Sequence, residues 1–184
     1  MERQRVLVPL AEGCEEMEAV TIIDILRRAG VEVVSAGLRS GTVTASRRTK
    51  LVPDMTLDEA LDWPYDMVVL PGGLPGADNL AGDARIMALL KRMAQEGKYT
   101  CAICAAPTVL AKAGVLSGKR ATAYPGFLEK MGLKDVVHQG DAVVVDGKVI
   151  TSRGPGTAMD FALALVEALS GREMRDKVEE ALVR

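Results

Sequence analysis

Several things are scarce in this 184-residue chain, and each scarcity closes off a class of function. There is no excess of basic charge. Lys and Arg number 23 against 25 Asp and Glu, for a formal net charge of -2, so nucleic acid is not expected as a partner. No stretch approaches the ~20 apolar residues of a membrane helix, and no membrane association is expected. The opening MERQRVLVPLAEG does not have the pattern of a signal peptide: its apolar run is short, ends in proline and gives way to acidic residues. Histidine occurs once, as His138, and cysteine three times, as Cys14, Cys101 and Cys104. A zinc site would need most of these to converge, so no metal is expected. An odd, small number of cysteines without framework spacing points to a reducing compartment, and the chain is read as cytoplasmic. Internal repeats, low-complexity tracts and linkers are also missing. Residues 1–184 therefore read as one domain, long enough to bury a sizeable core.

What is present is an alternation of two patterns. The runs RVLVPL (5–10), VEVVSAGL (31–38), DMVVLPGG (66–73) and YTCAIC (99–104) have the character of buried strands. Between them lie helix-period segments. One, EEMEAVTIIDILRRAG (15–30), closes on two arginines and a glycine, and another, 83–97, also stops at a glycine. Strand and helix in turn predict a parallel sheet with helices on both faces. Residues 42–54 alternate like a small hairpin or edge pair, and 141–152 form a hairpin about Asp146-Gly147. A helix over 157–171 follows, with Thr157 and Asp160 as a candidate capping box, then a closing surface helix over REMRDKVEEALVR.

Ligands in open parallel sheets bind beyond the carboxyl ends of the strands. Three such ends carry chemistry here: AEGCEEME, PGGLPGADN, and Cys104 with Ala105, Ala106 and Pro107. Parallel strands should bring them to one edge. Within the first helix Glu18 falls on the apolar stripe with Ala19, Ile22, Ile23 and Leu26, whereas Glu16, Asp24, Arg27 and Arg28 fall off it. A carboxyl turned toward the core would have a raised pKa; alternatively Glu18 ends the stripe and reaches water. The glycines of LPGGLPG do not have dinucleotide-fingerprint spacing. They either expose N–H groups able to hold an oxyanion or simply make a tight turn. Cys104 lies between a strand and a helix over 105–113, where unpaired N–H groups favour a thiolate. Small neighbours would allow a strained elbow of the nucleophile type, the other reading being a packed core thiol. CAIC does not read as a redox pair, because residues three apart on a strand face opposite ways. Cys101 reads as core, and Cys14 as an accessory thiol or a residue without a role. His138 precedes the last hairpin, so a Cys–His pair is weakly supported.

Taken in order, EEMEAV, VVLPGG, AICAAPTVL and TSRGPGTAMDFALALVEAL resemble the ThiJ/PfpI superfamily over essentially the whole chain. The branch it is most similar to holds the Parkinson-disease protein deglycase and the bacterial YajL proteins. That resemblance implies a flavodoxin-like three-layer α/β/α sandwich with a mostly parallel central sheet, and a homodimer. It implies that Cys104 is the reactive residue, hydrogen-bonded by a protonated Glu18. The N–H groups of Gly73 and Ala105 would form an oxyanion hole with Gly72 beside them, and Arg47 and Arg153 would line the site. Many members place a histidine by the cysteine where this chain has Tyr124, so acid–base work falls to Glu18. The implied activities are cofactor-free: glyoxalase conversion of methylglyoxal to lactate, or deglycase action on glycation adducts. The alternatives are a redox sensor or chaperone-like protein whose cysteine is oxidised to the sulfinate and, on the weakest support, an intracellular cysteine peptidase.

Overall fold

Each apolar run becomes a strand because its residues have a core to face on both sides. The computed structural model describes residues 3–184. In chain order the elements are β1 (Arg5–Leu10), α1 (Glu16–Arg28), β2 (Glu32–Gly37), β3 (Val43–Thr44), β4 (Lys50–Leu51), β5 (Met55–Thr56) and α2 (Leu57–Ala60). They continue as β6 (Met67–Leu70), α3 (Gly76–Ala81), α4 (Ala84–Gln95), β7 (Tyr99–Ile103), α5 (Pro107–Lys112), β8 (Arg120–Ala121) and β9 (Val137–His138). The chain closes with β10 (Val143–Asp146), β11 (Val149–Ser152), α6 (Ala158–Ser170) and α7 (Arg172–Ala181).

The central sheet has seven strands in the order β10-β11-β7-β6-β1-β2-β5. Every pairing is parallel except β10 with β11, the hairpin at one edge. Side chains alternate across the sheet into two cores, as strand geometry requires. Leu7, Val68, Leu70 and Ala102 pack with Leu89 and Leu90 of α4 and Val109 and Leu110 of α5. Val6, Val8, Met67, Val69, Cys101 and Ile103 pack with Ile22, Ile25 and Leu26 of α1 and Phe161 and Leu165 of α6. The result is the expected three-layer α/β/α arrangement with a mostly parallel sheet.

Helix ends follow local chemistry. The α1 N-cap is Glu15, whose carboxylate accepts from the Glu18 N–H at 2.9 Å, and Arg27 and Arg28 occupy its last turn. Asp83 caps α4 by accepting from the Arg85 N–H. The expected capping box of α6 does not form. Thr157 Oγ1 lies instead 2.7 Å from Ser152 Oγ, accepts from the Gly154 N–H and donates to the Gly154 carbonyl, so it is spent on the strand-to-helix turn. The 42–54 stretch is the expected antiparallel pair, Val43 opposite Leu51 and Thr44 opposite Lys50.

Strand order reverses about β1: the chain leaves it through α1 to β2 on one side and returns to β6 on the other. The crevice at such a reversal is where the carboxyl ends of β1, β6 and β7 present their loops.

Candidate active site

Cys104 is the first residue after β7 and has φ +65°, a conformation uncommon for a residue with a side chain. Holding it costs on the order of 1–3 kcal/mol and requires fixation from outside. Two hydrogen bonds supply that: the Cys104 N–H donates to the Ser152 carbonyl (3.0 Å), and the Tyr124 N–H donates to the Cys104 carbonyl (2.8 Å). Ala102, Ala105 and Ala106 are buried around the turn, where larger side chains would not fit. The helix begins later than expected. Ala106 is its N-cap and Pro107 its first residue, so Cys104 sits on the elbow before α5 rather than at its terminus. The left-handed turn also swings Cys104 back to the side of the sheet that holds Cys101, and both belong to the core of α1 and α6. The expectation that the two face opposite ways fails, because strand alternation ends at Ile103. All three cysteines are free thiols.

The loop after β6 closes against this elbow. A Cβ on Gly72 would stand 2.6 Å from Cys104 Cβ, 2.7 Å from the Ile103 carbonyl oxygen and 2.8 Å from Glu18 Oε2. Glycine is therefore what lets the strand end, the cysteine and the acid converge. Gly73 has φ +86°, and a Cβ there would meet the backbone of residues 13–15, the nearest atom being Glu15 N at 2.5 Å. The three strand ends thus meet at one edge.

Glu18 is fully buried. Its Oε2 accepts from the Gly72 N–H at 2.8 Å, and Oε1 has no hydrogen-bond partner within the protein. Burial pushes its pKa up from 4.5 to about 7, against the pull of the Gly72 N–H and of Cys104. The thiol does not have the lowered pKa expected at a helix terminus. Burial, then the Glu18 charge and its hydrogen bond, push Cys104 up to about 12, opposed by the N–H groups of Gly73 and Ala105 directed at the sulfur. Glu18's part in this disappears when the carboxyl takes up a proton. Thiol with carboxylate and thiolate with carboxylic acid are two placements of one shared proton.

The remaining residues singled out in the sequence are placed unequally. Tyr124 is half exposed beside the elbow, its ring in edge contact with Phe127 at 5.9 Å between centroids. Arg153 follows β11 and donates from Nη1 to the Gly140 carbonyl. Arg47 is exposed at the tip of the β3–β4 hairpin. His138 ends β9, with Nε2 3.4 Å from Glu129 Oε1. Cys14 is buried, and burial followed by the charge of Glu16 pushes its thiol up to about 12. Cys101 is buried in the core as expected, and burial raises its thiol pKa too. Among the described residues no cluster of three or more His, Cys, Asp or Glu side chains is arranged to hold a metal ion, and no helix is long and apolar enough to cross a membrane. A surface cavity of about 650 Å³ is lined by Arg5, Trp63 and Asp66 at the opposite ends of the strands. Glu16 is the residue missed. Placed off the apolar stripe by helical spacing, it is nonetheless buried, because the β3–β4 hairpin folds over it.

The sequence and its fold have counterparts among known proteins. Residues 4–168 match the DJ-1/PfpI family. Protein DJ-1 homolog B of Arabidopsis thaliana is 51% identical over 171 residues, which is 92% of this chain and 39% of that protein. The chain thus spans about two fifths of that relative's length. The glutathione-independent glyoxalase DJR-1.2 of Caenorhabditis elegans is 37% identical, with 96% of this chain and 94% of that protein aligned. The crystal structure of Drosophila melanogaster DJ-1beta superposes with a TM-score of 0.95 at 43% identity, covering 99% of this chain and 98% of that one. The chain belongs to the DJ-1/PfpI family.

Proposed function

We propose that this chain is a cysteine-dependent, cofactor-free enzyme of stress protection that acts on reactive dicarbonyls or on the adducts they form with protein side chains. One observation carries the reading: Cys104 stands on a strained left-handed elbow where the Gly72 backbone packs against both its Cβ and the fully buried carboxyl of Glu18, whose pKa burial raises. A base titrating near the working pH is well matched to proton transfer. The naming of a C. elegans relative as a glutathione-independent glyoxalase supports the same class.

Glu18 takes the thiol proton as sulfur adds to the aldehyde carbon of methylglyoxal. A carbon–sulfur bond forms, and the carbonyl π pair becomes an alkoxide facing the Gly73 and Ala105 N–H groups, each contributing ~3 kcal/mol. The alkoxide takes a proton to give a hemithioacetal. Loss of the proton on the former aldehyde carbon gives an enediol, and reprotonation at the neighbouring carbon gives a thioester. One carbon is oxidised and its neighbour reduced, so no external oxidant enters. Water then releases lactate and returns the thiol. For deglycase action the adduct is a hemiaminal or hemithioacetal: its carbinol O–H loses a proton as the C–N or C–S bond breaks, the side chain leaves with a proton, and Cys104 adds to the aldehyde so restored as above.

Methylglyoxal consumption by purified protein tests the reading. Cys104→Ala is expected to abolish it; turnover equal to wild type would end the proposal. The same donors would stabilise sulfinate oxygens at Cys104, which supports a redox-sensing role for the same sulfur, in a reducing compartment such as the cytoplasm.

A further inference from the structure

Glu16 occupies a seat made by another element. Its carboxylate accepts from the Arg47 N–H at 3.0 Å to Oε1 and 3.1 Å to Oε2, from Ser46 Oγ at 3.1 Å and from the Thr49 N–H at 3.4 Å. Arg48, between the two backbone donors, has φ +72°, and its own N–H is turned away to the Ala45 carbonyl. That left-handed residue gives the hairpin tip the curvature of a backbone nest, a concavity that takes an anion. The anion is supplied by the first turn of α1, where the helix dipole also favours negative charge. Burial alone would raise the pKa of Glu16, but the donors around it hold it below the usual carboxylate range.

The segment between β1 and α1 has no regular structure of its own. On one side it is tied to the glycine loop at the sulfur: the Glu15 N–H donates to the Gly72 carbonyl at 2.9 Å, and the Gly76 N–H to the Gly13 carbonyl at 3.2 Å. On the other it is tied to the hairpin: the Gly13 N–H donates to the Thr44 carbonyl, and the Ser46 N–H to the Cys14 carbonyl at 2.7 Å. Among the described residues Glu16 is the only side chain of the α1 first turn hydrogen-bonded to the hairpin, and it stands two residues before Glu18. First turns lack half their backbone hydrogen bonds and fray unless they are held.

We propose that Glu16 is a positioning residue for the Cys104 site: seated in the β3–β4 hairpin, it anchors the first turn of α1 so that Glu18 stays beside the sulfur. This rests on the reading that Cys104 is the reacting atom. A reacting pair tolerates little displacement, and misplacement by about 1 Å costs up to about 100-fold in rate.

The experiment measures two quantities in wild type, Glu16→Ala, Glu16→Gln, Glu18→Gln and the Glu16→Ala/Glu18→Gln double variant. One is the pH dependence of Cys104 alkylation by iodoacetamide; the other is kcat and KM for methylglyoxal. Glu16→Ala should lower kcat by about 10-fold to 100-fold with KM little changed, and should move its alkylation profile toward that of Glu18→Gln. The double variant should lose no more than Glu18→Gln alone, because both act through one carboxyl. Glu16→Gln keeps an acceptor for the backbone donors and should recover part of the loss. If Glu16→Ala does not fold, Ser46→Ala, which removes one donor from the hairpin side, should show the same change in smaller degree. A wild-type alkylation profile in Glu16→Ala or Ser46→Ala, or full additivity in the double variant, overturns the proposal. Alkylation needs no turnover, so a failure here is separable from persistence of activity in Cys104→Ala, which would overturn the underlying reading instead.

Discussion

Replacing Glu18 with Gln removes a titration that the fold has displaced, and the effect on stability has a definite sign. The carboxyl titrates at its ordinary 4.5 in the unfolded chain and at about 7 in the folded protein. Below 4.5 both states carry the proton, and the stabilisation that favours the protonated folded form is complete. As pH rises through the folded value the buried group must ionise, and that contribution is lost. The interval from 4.5 to about 7, at about 1.36 kcal/mol for each tenfold, corresponds to about 3 kcal/mol. Glu18 has no solvent exposure, so no screening reduces the figure. Urea denaturation of wild type and Glu18→Gln from about pH 5 to about pH 8 reads it directly, provided the slopes of the two transitions agree. The stability of wild type minus that of the variant should fall by up to about 3 kcal/mol over this range. Cys104→Ala should keep the fall if the proton leaves the carboxyl, and lose it if the proton leaves the sulfur. A difference that stays flat across the range would refute the burial argument, and with it the assignment of Glu18 as the base.

Gly72→Ala places a methyl group within 2.8 Å of Cys104, the Ile103 carbonyl and Glu18. It should cost about 1–3 kcal/mol from overpacking and slow Cys104 alkylation, as thermal melting and labelling kinetics would show; unchanged labelling would mean the three groups are not in contact. Mild peroxide should add two oxygens at Cys104 and none at the more deeply buried Cys14 and Cys101, an outcome for intact-mass and peptide mass spectrometry. Met17 and Val20 are exposed one helical turn apart on α1. If that face joins two copies of the chain, Met17→Glu should lower the mass measured by sedimentation from dimer to monomer, and a monomeric wild type would exclude the idea.

Order and periodicity in the sequence were enough for the parallel sheet, the helix stops, the edge hairpin and the arrival of three strand-end loops at one edge. Each of these depends on which face of its own element a residue occupies, and spacing along the chain encodes that. They left Glu18 open between the core and water, and its place beside Cys104 came from the family resemblance. The direction of the Cys104 titration was decided elsewhere. It depends on burial and on a carboxylate from another helix, and neither is a property of the CAIC stretch. The left-handed turn that places Cys104 with Cys101 is imposed by the Ser152 carbonyl and the Tyr124 N–H, both far along the chain. Glu16 reads as a solvated helix residue until a hairpin some 30 positions later folds over it, and Thr157 reads as a cap until the Gly154 backbone engages its hydroxyl. Local pattern specifies how an element is made and which side it buries. Which donors and charges from distant segments close around a side chain is settled only when those segments pack, and the chemistry of this site depends on that closure.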